Sequence, residues 1–184
     1  MEYVTSAILG VALAASCGFR VFVPLLVAAG AAHVGWLSLA PDQAWLGSTP
    51  ALVVLSVAAV VEVVAMHVPW LDHALDVVAS PAAIIAGTLL SASQLGELDP
   101  IVRWTAAAVA GGGAAAAVQA TTVAVRATST ALTGGIANPI VAFAEAAAAL
   151  FFALLAVLVP VLALGLLLLL GVLAAQKVRQ RLAA

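Results

Sequence analysis

PIVAFAEAAAALFFALLAVLVPVLALGLLLLLGVLAA, residues 139–175, carries one ionisable side chain, Glu145. As a single straight helix it would reach ~55 Å at 1.5 Å per residue, nearly twice the ~30 Å hydrocarbon thickness of a bilayer. Pro160 divides it. The reading is two membrane helices, six and seven, joined by a tight apolar turn, in preference to one long helix kinked at the proline.

The rest of the chain is of the same kind. Of its 184 residues 66% are hydrophobic and 8% charged, with mean hydropathy +1.26. Soluble domains hold about 45–50% apolar and about 25% charged residues, and one of this size could not hide so much apolar surface. Lipid is the solvent that fits, and residues 1–184 read as a single transmembrane domain. The formal net charge of −2 comes with no basic patch for nucleic acid. Cys17 is the sole cysteine, so neither an internal disulfide nor a cysteine-based zinc site can be built. Ala14-Ala15-Ser16-Cys17 has a faint likeness to a lipoprotein cleavage site. The segment before it holds Glu2 and no Lys or Arg, so it reads as a retained first helix.

Working back along the chain, apolar runs and their breakers set the spans. Helix one covers about Tyr3 to Cys17, with Gly18 as the break, and helix two about Phe19 to Trp36. Leu37 to Pro50 is a loop with Trp36 and Trp45 at its margins, where interfacial tryptophans sit. Helix three covers Ala51 to Val68. Pro69 to Ser80 is a polar interruption, after which Pro81 opens helix four as its first-turn proline. Reaching only Ser93, that helix is ~20 Å long; either the Asp72–Ser80 segment extends it or it is a half-helix facing protein. Gln94 to Arg103 is a loop, helix five runs from Arg103 to Arg126, and Ala127 to Asn138 is a polar, glycine-containing link. The expected fold is an all-α polytopic transmembrane helix bundle of six or seven helices. Lys177, Arg179 and Arg181 place the C-terminus in the cytoplasm. Seven spans then put Arg20 and Arg126 on the same side, with Asp42, Glu97, Asp99 and Arg103 opposite.

Ionisable groups within spans are costly and mark function. Glu62 in helix three and Glu145 in helix six have no basic residue one turn away. They are candidates for proton or cation coupling, or for structural pairs with Arg20 or Arg126 that hold helices in register. Asp72 and Asp76, at i and i+4, share a helix face if that segment is helical, which motivates a bound cation, a shared proton or an arginine. They join Glu62 and Glu145 as candidate ion-coupling residues. His67, His73 and Asn138 are secondary candidates, and a metal is left open. His33 reads as interfacial. Arg20 and Arg126 either contact an anion or lipid phosphate, or snorkel to the interface. Ala83, Gly87 and Ser91 on helix four, and Gly113 and Ala117 on helix five, form small-residue faces for close helix approach, within the bundle or in a homo-oligomer. No P-loop, nucleophile elbow or HExxH motif is present.

Val61-Glu62-Val63-Val64, Val68-Pro69-Trp70-Leu71-Asp72, Ala74-Leu75-Asp76 and Ser80-Pro81 resemble the bacterial membrane family catalogued as domain of unknown function 4126. Thr128-Ser129-Thr130, Asn138-Pro139 and Glu145 look like its second polar stretch and following acid. Met66-His67 and Ala79-Ser80 depart from the family pattern. The resemblance implies a fold and a choice of site more than an activity. Both halves set an intramembrane acid beside a polar interruption, as an inverted three-plus-three repeat would.

The leading expectation is therefore a small secondary transporter or channel for a small solute or ion in a bacterial cytoplasmic membrane, with no cofactor. Alternatives are a non-transporting scaffold or partner subunit, and an intramembrane lipid-acting enzyme at Asp72, His73 and Asp76.

Overall fold

The computed structural model describes residues 2–65 and 69–183, without the side chains of residues 2, 69–77, 178–179 and 181–183. Among the described residues the chain forms seven α-helices, one 3₁₀ helix and no strand. They are α1 (Glu2–Cys17), α2 (Phe22–His33), α3 (Thr49–Ala65), α4 (Pro69–Ser93), α5 (Pro100–Thr133), α6 (Asn138–Leu158) and α7 (Pro160–Ala183). The 3₁₀ helix, Pro41–Gly47, precedes α3 and is bent from it by 60°. Three described helices, α5, α6 and Pro160–Lys177 of α7, are long and apolar enough to cross a membrane. They become four if the bent pair counts as one span. Apolar helices of this length make the chain a membrane-embedded protein.

Contacts at one end of the bundle fix the direction of the helices. Tyr3 at the start of α1 donates its hydroxyl to Glu97, between α4 and α5, at 3.1 Å. The Ala40 N–H donates to the Ser93 carbonyl at 2.8 Å, joining the α2–α3 connection to the end of α4. His33, the last residue of α2, meets the Gly47 carbonyl at 2.9 Å. Arg103 in the first turn of α5 pairs with Asp42, through Nη1 at 3.0 Å and through Nη2. Leu154, Val157 and Leu158 of α6 line an apolar cavity with Val34 and Trp36 beyond the end of α2. The helices therefore alternate in direction: α1, α3, α5 and α7 run away from this end, and α2, α4 and α6 run toward it.

The first two helices are short. α1 has 16 residues and α2 has 12, ~24 and ~18 Å of rise, less than the hydrocarbon thickness. They form a helical hairpin that enters the bundle and turns back, its tip at residues 18–21.

Three expectations are corrected. Pro69–Ser80 is not an interruption: of the two readings of helix four, the one in which this segment extends it holds, giving a continuous 25-residue α4 with Pro81 inside the helix rather than opening it. A membrane helix tolerates such a proline because neighbouring helices supply the packing that holds it together. The link after Arg126 is also shorter than expected. α5 continues to Thr133, where Gly134 and Gly135 take positive φ of 64° and 89°, a conformation that needs glycine. On α5 the small-residue face is offset from Gly113 and Ala117, which point outward. A Cβ on Gly113 would meet nothing within 4 Å, whereas one on Gly111 would fall 2.3 Å from the Ser91 Cβ and 2.8 Å from the Gly87 carbonyl. The helix is π-wound over Ala107–Gly112, and that extra residue per turn shifts the register of the face presented to α4. The expected faces on α4, Ala83, Gly87 and Ser91, do pack inside the chain.

The break in the long apolar run lies at Val159 (φ −143°, ψ 76°), directly before Pro160. The proline disfavours helical geometry in the residue ahead of it. Two helices result, as the sequence suggests.

Candidate functional site

The hairpin tip is where the ionisable residues gather. Gly18 ends α1 against α5: a Cβ there would stand 2.5 Å from the Ala115 carbonyl oxygen, so only glycine permits the approach. Phe19 then stacks on Phe152 of α6, ring centroids 5.8 Å apart, and pins the turn. These two anchors carry the next residue, Arg20, into the interior between α1 and α6.

Arg20 is 8% exposed. Its Nη2 donates to Glu145 Oε2 at 3.0 Å and to the Ala142 carbonyl at 3.3 Å. Arg126 of α5, 7% exposed, reaches the same carboxylate: Nε lies 3.1 Å from Oε1 and 3.0 Å from Oε2, and Nη2 lies 2.6 Å from Oε2. Two guanidinium groups thus share one buried carboxylate. A planar fork can donate in parallel to two oxygens, as a lysine cannot.

Glu62 holds the other side of the tip. The first N–H groups of a helix lack intrahelical partners. Those of Val21 and Phe22, opening α2, donate to Glu62 Oε1 at 2.8 Å and Oε2 at 3.0 Å. The carboxylate also sits at the positive end of the α2 dipole. Pro24 follows in the first turn, where its missing N–H costs nothing.

Arg20, Glu62, Gln119, Thr122, Arg126 and Glu145 line one polar cavity of about 20 Å³, room for about one water. Thr122 Oγ1 contacts the Gly18 carbonyl at 3.5 Å and donates to the Gln119 carbonyl at 2.9 Å, and Gln119 Nε2 contacts Ser80 Oγ at 3.5 Å. Arg126 precedes the end of α5, and Glu145 follows the start of α6, by seven residues each. The cavity is therefore inset ~10 Å from those helix ends.

The structure brings Glu62, Glu145, Arg20 and Arg126 together. It corrects the snorkelling reading of the two arginines, which are buried and point inward, where both pair with Glu145. Asn138 stands apart at the start of α6, its Nδ2 donating to Thr130 Oγ1 at 2.9 Å. Asp72, His73 and Asp76 lie in the first turns of α4, but their side chains are outside the described residues, and His67 is outside them altogether. Among the described residues no group of three or more His, Cys, Asp or Glu could hold a metal ion. Sequence reasoning missed the main-chain donors of Val21 and Phe22, and Gln119 and Thr122. The available signal was Gly18 with Pro24: a helix stop, then a first-turn proline, around a lone arginine.

The chain belongs to the family described as Domain of unknown function (DUF4126), whose model matches residues 7–180. No curated protein and no solved structure matches it.

Proposed function

We propose that this membrane protein is a small secondary transporter or channel for a small solute or ion, with Glu62 and Glu145 as its coupling acids and Arg20 and Arg126 as their partners. One observation carries the reading: four ionisable side chains surround one polar cavity at the tip of a helical hairpin too short to cross the bilayer. Charged groups inside a membrane are costly and concentrate on solute and proton pathways. Helix breaks whose free N–H groups meet a charge are a transporter device. The opposite directions of α3 and α6, which bring their acids to one cavity, are compatible with an inverted three-plus-three repeat. The basic C-terminal end, with Lys177, Arg179 and Arg181, belongs in the cytoplasm of a bacterial inner membrane by the positive-inside rule. The cavity would then lie nearer the cytoplasmic face.

The test is solute-dependent proton movement in proteoliposomes with an internal pH dye, comparing wild type with Glu62→Gln and Glu145→Gln over ions and metabolites. Flux lost in folded variants supports transport with these acids as coupling groups. Flux unchanged in both variants removes the acids from the mechanism.

A second reading, a non-transporting scaffold or partner subunit, is favoured by the hold of both arginines on Glu145, which ties the α1–α2 turn, α5 and α6 in register. It predicts stability effects at Glu145 and no flux from any solute.

A further inference from the structure

α2 ends in a turn that leaves a groove on the flank of the bundle. Gly35 takes a positive φ of 80°. Its N–H donates to the Ala32 carbonyl at 3.1 Å, and the Trp36 N–H donates to the Ala31 carbonyl at 2.8 Å. These are the two bonds of a Schellman motif, which commonly closes on an apolar contact between the residue after the glycine and a residue of the last helical turn. Here those residues are Trp36 and Ala31, and both line one apolar cavity of about 410 Å³. The alanine, and Gly30 beside it, leave space that larger side chains would take: a Cβ on Gly30 would meet nothing within 4 Å. The last turns of α6, through Leu154, Val157 and Leu158, form the opposite wall.

Chemistry, depth and exposure constrain what this groove can take. Its side chains are apolar, and the carbonyls of Gly30 and Ala31 already accept from the Val34, Trp36 and Leu37 N–H groups, so the walls offer water little to bond. The 21 residues of α6 rise ~32 Å, about the thickness of the hydrocarbon layer, so the last turns of α6 lie at the edge of that layer. Trp36, 74% exposed, stands at the mouth, at the level where interfacial tryptophans sit. Val34, Leu154 and Leu158 on the rim are exposed and belong to the lipid-facing surface of the bundle. The groove is therefore continuous with the boundary between protein and lipid, at the depth of the upper part of an acyl chain.

We propose that this groove is a binding site for one acyl chain of a phospholipid from the adjoining leaflet, seated between the end of α2 and the last turns of α6 beside the Trp36 ring. Its volume falls within the ~300–1,000 Å³ of small-molecule sites, which in helix bundles lie between helices. An acyl chain supplies carbon atoms in van der Waals range of both walls and brings no polar group to desolvate. The headgroup stays in the interfacial layer. The bound chain completes the α2–α6 contact that Gly30 and Ala31 are too small to make. None of the ionisable residues of the polar cavity takes part, so the groove holds lipid whether or not the protein transports a solute.

The full chain, purified in detergent and given phosphatidylcholine, is washed and weighed by native mass spectrometry. Wild type is expected to keep about one phospholipid through the washing, and added phosphatidylcholine should raise its unfolding temperature, as a ligand of the folded state does. Gly30→Leu puts a side chain into the groove. It should cut the retained lipid by about tenfold or more, the scale of losing a few buried methylene contacts, and abolish the thermal response. Gly113→Leu, on α5 where a Cβ also meets open space, is the control and should behave as wild type. A phosphatidylcholine with a photoreactive diazirine on one acyl chain locates that chain in wild type, so the test holds even if Gly30→Leu fails to fold. Crosslinks concentrated on residues 27–36 and 154–158 support the site. Crosslinks spread evenly over the lipid-facing helices mark an ordinary lipid annulus and overturn it. So does equal retention by a folded Gly30→Leu and wild type, and so does recovery of a free fatty acid or a second copy of the chain in place of the phospholipid.

Discussion

Arg20 and Glu145, 125 positions apart in the chain, meet at 3.0 Å inside the bundle, and Arg126 reaches the same carboxylate at 2.6 Å. One acid therefore pairs with two buried cations, one in the α1–α2 turn and one on α5, and its removal takes that partner from both.

Glu145→Gln should lower stability by about 3–5 kcal/mol, the usual cost of removing one partner of a buried ion pair. Unfolding in mixed micelles measures it. A loss under about 1 kcal/mol, the scale of an exposed ion pair, would show that water reaches the arginines.

Glu62→Gln keeps the shape but offers one good acceptor where the carboxylate offers two. One of the Val21 and Phe22 N–H groups loses its partner, at a cost of about 1–3 kcal/mol. The same variant should lose proton-coupled flux, so stability and transport measured together separate a coupling acid from a mere helix cap.

Gly111 and Gly113 differ by two positions and should respond with opposite sign. Gly111→Ala drives a methyl group into Ser91 and the Gly87 carbonyl and should destabilise by about 1–3 kcal/mol. Gly113→Ala meets open space and should be neutral or stabilising by up to ~1 kcal/mol. Thermal unfolding of the pair tests the π-wound register directly.

The Asp42–Arg103 pair ties the α2–α3 connection to the start of α5. The hydrogen bond from Arg103 holds the Asp42 carboxyl below its ordinary value of 3.8. A carboxylate whose folded pKa is depressed contributes stability that is whole above its unfolded value and fades as pH falls through the folded one. Wild type should therefore lose this contribution only below about pH 4, and Asp42→Asn should lack that part of the acid dependence. Stability against pH for the two proteins decides it; parallel curves would remove Asp42 from the acid response.

Much of the architecture is readable from the sequence because hydropathy is local and additive. The apolar run over residues 139–175 needs no partner to identify it as membrane-embedded, and the stop at Pro160 follows from proline's own geometry. Glu62 and Glu145 stand out because each interrupts an apolar span. The polar residues from Pro69 to Ser80 misled for the same reason: polarity reads as loop, yet α4 runs through them, since a helix satisfies its own backbone whatever its side chains. The register of α5 was not legible either. Three consecutive glycines fit several faces, and the π-wound stretch that selects Gly111 depends on how α4 packs against it.

That the chain is a bundle of membrane helices, with Glu62 and Glu145 within apolar runs, follows from residue types alone, because the cost of moving each residue from water to lipid belongs to that residue. The pairing of Glu145 with Arg20 and Arg126, and of Glu62 with the first N–H groups of α2, emerges only when the helices pack. Pairing is a property of two groups and the distance between them. Here that distance is set by a glycine contact at Gly18 and a ring stack at Phe19, which bring together residues that the chain keeps far apart.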